Sequence, residues 1–209
     1  MSTALKDAAE RHSRILDAAE RCFVRSGFHR TTMQDVAAEA QMSAGNLYRY
    51  FPSKDAIVAG LSERDRNELA ADFTAPAGPV DFFGFLEALG RKHFVEAPRE
   101  KAVMLLEIWA ESTRNPAVRD CCGAIDGLLQ TMMLDLIAAG KNSGAVVASV
   151  DPAFALRVLF TMADGLFKRR ALEPGFDGEQ ELANAMAVFR AVFTGQIQPT
   201  TSAPSGVSA

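Results

Sequence analysis

The sequence predicts an all-α protein, an N-terminal helix-turn-helix unit followed by a helical bundle, with about nine helices in all. Three observations carry this expectation. Strand signals are sparse: two Tyr, one Trp and no cleanly alternating stretch. Alanine, leucine and charged residues recur instead at helical spacing along most of the length. Breakers of the Pro, Gly and Asn-Pro type stand between those stretches.

From about Lys6 to Ser26 the apolar positions Ile15, Ala19, Cys22 and Phe23 follow i, i+4, i+7, i+8, and Gly27 stands where a C-terminal cap glycine belongs. Thr32 caps a short helix, Met33 to Ala40, and Ser43 caps another that runs to about Tyr50. Pro52 and Ser53 break the chain before a long helix from about Lys54 to Phe73. Thr74-Ala-Pro-Ala-Gly-Pro79 reads as a linker. Five longer helical segments follow, roughly Val80–Glu96, Arg99–Arg114, Pro116–Asn142, Pro152–Ala171 and Gly178–Gly195. From Gln196 the chain is polar and rich in Pro and Ser, the composition of a disordered tail. The expected organisation is a helix-turn-helix domain over 1–55, a bundle over 56–195 and a tail over 196–209, with helix 54–73 joining the first two.

Composition removes several classes. The 22 Lys plus Arg face 26 Asp plus Glu, a net charge of -4, which excludes an evenly basic nucleic-acid coat but not a local DNA-binding surface. A 48% hydrophobic content excludes disorder over most of the length. No uninterrupted apolar run approaches the ~18 residues of a membrane span, and MSTALKDAAERHSR carries charge where a signal peptide needs an apolar stretch. The chain reads as cytoplasmic, with no membrane partner. His12, His29 and His93 fall on separate elements without metal-ligand spacing, and no Gly-rich phosphate loop or nucleophile motif occurs. No cofactor, metal or enzymatic activity is expected. Lys168-Arg169-Arg170 ends a helix, where cations suit the negative end of the dipole.

The informative stretch runs from Thr31 to Asp55. Two short helices joined by a turn of about three or four residues have helix-turn-helix spacing. Val36, Ala37 and Ala40 can meet Leu47 and Phe51 across the corner. The outer face of the second helix then carries Ser43, Gly45, Asn46, Tyr48, Arg49 and Tyr50, with Lys54 at the start of the next helix. Short polar groups and glycine allow close approach to a major groove, while Tyr, Arg and Asn supply hydrogen bonds and Lys meets a phosphate.

Gly45-Asn-Leu-Tyr-Arg-Tyr-Phe-Pro-Ser-Lys-Asp55, preceded by Ala-Glu-Arg-Cys-Phe-Val-Arg-Ser-Gly-Phe and Thr-Thr-Met-Gln-Asp-Val-Ala, resembles the TetR family of bacterial repressors over about residues 11 to 61. The resemblance implies a homodimeric transcriptional regulator that binds a palindromic DNA operator and is released by a small molecule. It also implies DNA contacts at Thr32, Gln34, Ser43, Ala44, Gly45, Asn46, Tyr48, Arg49, Tyr50 and Lys54. The chain departs from the family at Gln41, where the turn often has glycine; a positive φ there would cost about 1 kcal/mol.

Bundles of this family usually enclose a cavity, and central helices here supply candidates for it. These are Met104, Glu107, Ile108, Trp109 and Glu111, then Leu128 and Met132, then Phe160 and Asp164. An uncharged or amphipathic effector fits the apolar members, and the three carboxylates leave a cationic one open. For the dimer, Leu182, Met186, Phe189 and Phe193 form an apolar seam at i, i+4, i+7, i+11, beside which Leu159, Met162 and Leu166 can lie. The alternative is that this seam packs on its own subunit. Two rival functions stand beside the main one: a small-molecule-binding or interaction bundle without a DNA role, and a thiol-based redox sensor through Cys121 and Cys122.

Overall fold

Helix boundaries in the computed structural model fall where side chains can satisfy the orphan backbone groups of a helix end. The structure describes residues 3–73 and 81–200, with side chains from Asp7 onward. The expected linker at 74–79 and the tail beyond Thr200 lie outside the described residues. Among those described, every regular element is helical: α1 Thr3–Ser26, α2 Met33–Glu39, α3 Ala44–Tyr50, α4 Lys54–Asp72, α5 Phe82–Arg91, α6 Arg99–Ser112, α7 Pro116–Ser143, α8 Pro152–Leu172 and α9 Gly178–Phe193. Gly27 ends α1 at φ +77°, as its position predicted. Ser43, Ser53, Asp81 and Asp177 each accept a backbone N–H at the start of their helix. Thr32 and Asp35 form a reciprocal capping box on α2.

The described helices fall into two units that interleave along the chain instead of meeting once near residue 55. The first takes residues 1–74, 97–129 and 167–174. Its core gathers Ile15, Ala19 and Phe23 of α1, Val36 of α2, Leu47 of α3, Ile57 and Leu61 of α4, Met104 of α6 and Val118 of α7. Gly60 permits α4 to approach, because a Cβ there would stand 2.8 Å from the Phe51 ring. Across α1, α4 and α6, Arg64 reaches Asp17 and Glu20 at 2.7 and 2.6 Å, and Lys101 lies 3.6 Å from Asp65.

The second unit takes 75–96, 130–166 and 175–209. Here α5 packs on α9. Phe82 and Phe193, both fully buried, meet edge to face at 4.7 Å, and Leu182 fills a notch where Gly90 has no side chain. Arg190 lies over the Phe83 ring at 4.4 Å. One segment differs from expectation. The helix predicted to reach Glu96 is α-helical only to Arg91, and Lys92–Glu96 widens into a π-helical turn. Gly178 sits against this turn, where a Cβ would collide with the Phe94 carbonyl oxygen.

The seam expected to pair two copies lies inside the subunit. Leu182, Met186, Phe189 and Phe193 are all buried, as are Leu159 and Leu166, while Met162 is half-buried. The physical reason is that the aromatic face of α5 needs a partner within the chain, and the large residues of α9 provide it. α7 contains no uninterrupted apolar run of membrane-span length, in keeping with the sequence expectation. By length and mean composition alone it would reach across a membrane, but Asp126 and Asp135 interrupt it.

Candidate nucleic-acid interface

The corner between α2 and α3 is built from backbone hydrogen bonds at the end of α2. Gln41 donates to the Ala38 carbonyl at 3.0 Å and Met42 to the Ala37 carbonyl at 2.9 Å, the paired bonds of a Schellman turn. That turn requires a left-handed residue, and Gln41 occupies it at φ +56°. The departure from glycine noted in the sequence therefore carries conformational strain. Val36, Ala37, Ala40, Leu47 and Phe51 are buried and hold the corner from inside.

The face of α3 opposite Leu47 is open. Tyr48 is 50% exposed, the largest apolar surface this unit leaves to solvent on a short helix, and Ser43, Gly45 and Arg49 are exposed beside it. No atom lies within 4 Å of where a Gly45 Cβ would be, so a ligand surface can approach the backbone. Thr32 and Gln34 on α2 are exposed too, while Ala44 and Asn46 are half-buried. The Thr32 hydroxyl is occupied, donating to Asp35 at 2.7 Å, and this bond with the Thr32 N–H holds the Asp35 carboxyl below its usual pKa. Tyr50 is half-buried and bonded to Arg11 of α1, a contact that raises the guanidinium pKa further. His12 stacks on Phe51 at 4.6 Å, bringing α1 to the end of α3.

Lys54 differs from its expected role. Its ammonium turns inward, donating to the Phe28 carbonyl at 2.7 Å and the His29 carbonyl at 3.3 Å, and lies 4.4 Å from the centre of the Phe28 ring. Burial lowers its pKa, while Glu111 and Asp55 act to raise it. In this structure the ammonium is engaged by the loop carbonyls while the side chain is half-buried.

Two effector candidates serve this same loop. Glu107 accepts the Phe28 N–H at 3.1 Å, and Glu111, 5% exposed, has its Oε2 2.8 Å from His29 Nε2. Met104 is a core residue of the first unit and Ile108 packs against that core. Trp109, half-buried, meets Phe167 edge to face at 6.2 Å. Asp164 is exposed instead of set in an apolar pocket, while Leu128, Met132 and Phe160 are half-buried. The sequence reading missed the Phe28–His29 loop altogether. Its only signal was the Glu107/Glu111 spacing of one helical turn, whose partner lies 79 residues away for Glu107.

The rival chemistries find little support. Burial raises the pKa of Cys22, Cys121 and Cys122, which disfavours the thiolate that sensing requires. No group of His, Cys, Asp or Glu suited to a metal occurs among the described residues. Arg169 pairs with Glu173 at 3.0 Å near the end of α8.

The chain has relatives among known proteins in sequence and fold. The profile of bacterial regulatory proteins of the tetR family matches residues 15–61, and that of the C-terminal region of BetI-type transcriptional repressors matches 86–194. The transcriptional regulator UidR of Escherichia coli is 25% identical over 160 residues, 77% of this chain and 81% of that protein. TtgR of Pseudomonas putida is 28% identical over 184 residues, spanning 81% and 84%. Among solved structures, Salmonella enterica GusR superposes with a TM-score of 0.75 at 24% identity, covering 88% of this chain and 95% of that one. A regulator from Saccharomonospora viridis in complex with choline gives 0.72 at 24%, covering 85% and 94%. With its N-terminal helices and its bundle both matched, the chain belongs to the TetR family of helix-turn-helix transcriptional regulators.

Proposed function

We propose that the protein is a repressor that binds a palindromic operator as a homodimer in the cytoplasm and leaves it when a small molecule binds. The carrying observation is the outer face of α3, where Tyr48, Arg49 and Gly45 are exposed on a helix held only from its inner side and its ends. Arg49 and Asn46 are assigned to base edges, and Thr32, Gln34, Ser43, Ala44, Tyr48 and Tyr50 to backbone or groove-edge contact.

The dimer face moves with the burial of the seam. On α9 the outward column is Ala183, Ala187 and Ala191, small enough for close helix approach. On α8 it is Phe154, Val158, Met162 and Gly165, all half-buried, with no atom within 4 Å of a Gly165 Cβ. Two copies sharing these columns would make an isologous contact, which sets two recognition helices on one operator. For the effector, the acidic argument for a cation weakens, because Glu107 and Glu111 serve the loop. The half-buried Met132 and Phe160 of the second unit favour an uncharged or amphipathic molecule.

Fluorescence anisotropy with duplex DNA from the region upstream of the protein's own gene tests this reading. Arg49→Ala should relax preference at particular bases by about 1–3 kcal/mol if its contact is bidentate. Tyr48→Ala should weaken binding evenly across sequences. Wild-type affinity in both variants would remove α3 as the reading helix.

A further inference from the structure

Phe28 is held from both ends by charged side chains of two other helices. Its N–H donates to Glu107 on α6 at 3.1 Å, and its carbonyl accepts from Lys54 at the start of α4 at 2.7 Å. The same ammonium reaches the His29 carbonyl and the face of the Phe28 ring, and Glu111, one turn beyond Glu107, meets the His29 ring. Gly27 lets this happen: its left-handed φ turns the chain out of α1, and a Cβ there would stand 3.1 Å from Glu107 Oε2. The loop has little freedom downstream. The Thr31 hydroxyl donates to the Cys22 and Gly27 carbonyls at 3.1 and 2.8 Å, and the next residue, Thr32, is the cap of α2. A displacement of residue 28 is therefore passed to the start of α2, and through the Schellman turn to α3.

We propose that Lys54 and Glu107 are positioning residues for DNA reading, gripping Phe28 from opposite ends and tying the seat of α2 and α3 to α6. Lys54 then acts on DNA through the loop and not as a phosphate contact. The proposal rests on the operator-binding reading above. It gives α6 a direct handle on the reading helices, one that works in both directions: whatever DNA does to the loop, α6 must register.

A reporter is already in place. Trp109 is the chain's one tryptophan and lies on α6 between the two glutamates. The full-length protein is used with a duplex selected from random-sequence DNA by the wild type. In the wild type, the duplex shifts Trp109 emission. Glu107→Gln, still folded by circular dichroism, moves the Phe28 amide resonance of the free protein, binds the duplex about tenfold more weakly and loses the Trp109 response. Lys54→Met weakens binding at every salt concentration with an unchanged salt slope, and Lys54→Arg restores it. Two results would overturn the proposal. One is a salt slope reduced by about one counterion in Lys54→Met with the Trp109 response intact, the mark of a phosphate contact. The other is a Phe28 amide indifferent to Glu107→Gln. Failure to select any duplex would instead overturn the operator-binding reading, and the Phe28 amide would still judge the grip itself.

Discussion

α3 and α9 are held in place by opposite means. Within α3 only Leu47 is buried, and the rest of its fixing comes from its two ends, Ser43 and half-buried Ala44 at the start and half-buried Tyr50 with buried Phe51 at the finish. α9 buries Leu182, Ala185, Met186, Phe189, Val192 and Phe193, a seam along its whole length. A helix anchored at its ends can be re-aimed by small changes in the neighbouring loop without loss of core. A helix anchored along a seam moves only if the core is repacked. The reading helix thus belongs to the steerable kind and the bundle helix to the fixed kind, which is the division of labour a regulated DNA reader needs.

The sharpest test of that contrast is to place a charge on each side of α9. Phe189→Glu puts a carboxylate at a site 9% exposed within the subunit, and should cost about 3–5 kcal/mol in urea unfolding. Ala187→Glu, on the exposed side, should leave the subunit folded and shift sedimentation from dimer to monomer. A folded, monomeric Phe189→Glu protein would return the seam to the interface and erase the contrast.

A smaller effect is expected at the corner that carries α3. Gln41→Gly removes a side chain from a left-handed residue, so the variant should gain about 0.5–1 kcal/mol in the same unfolding measurement. A loss instead would mean that the exposed Gln41 side chain contributes something its backbone geometry does not reveal.

The smallest effect concerns the charged cluster joining α1, α4 and α6. Burial raises the Asp65 carboxyl pKa against the opposing pull of Lys101, with Glu68 adding to the rise and Arg64 countering it; burial raises Glu20 as well. A carboxyl whose folded pKa exceeds its unfolded value binds its proton more tightly when folded. Its stability penalty is complete above the folded pKa and fades as pH falls through that pKa toward the ordinary carboxylate range. Thermal melting of the wild type should therefore gain from mild acidification. Asp65→Asn should melt higher than wild type at neutral pH and gain less on acidification. An identical pH response in the two proteins would remove Asp65 as its source.

What could be read without coordinates follows the range of the interaction involved. The caps at Thr32 and Ser43, the break at Pro52-Ser53, the Gly27 stop and the exposure of Ser43, Gly45, Tyr48 and Arg49 depend on residues within a few positions of one another, and each appears in the structure as expected. Apolar periodicity in α9 correctly announced burial, but a pattern of one helix carries no address for its partner. The aromatic face of α5, about a hundred residues away in the chain, supplied that address. The same limit misplaced Glu107, Glu111 and Lys54. Their residue types suggested a ligand and a phosphate, while here Glu107 and Lys54 hold the backbone of the Phe28–His29 loop and Glu111 meets the His29 ring.

Interleaving of the first unit sets a rule for cutting and grafting. Met104 and Val118 belong to the same core as α1 through α4, and Ser62 donates to the Cys121 carbonyl at 3.2 Å. Asn115 likewise donates to Asp55 at 3.0 Å. A fragment ending near residue 74 would expose the places these groups fill. A hybrid regulator joined there would inherit α6 and the start of α7 from a foreign parent, with no guarantee of a fit. The transplantable cassette in this protein is discontinuous in sequence, and an engineer who wants its reading head must carry residues 97–129 and 167–174 along with it.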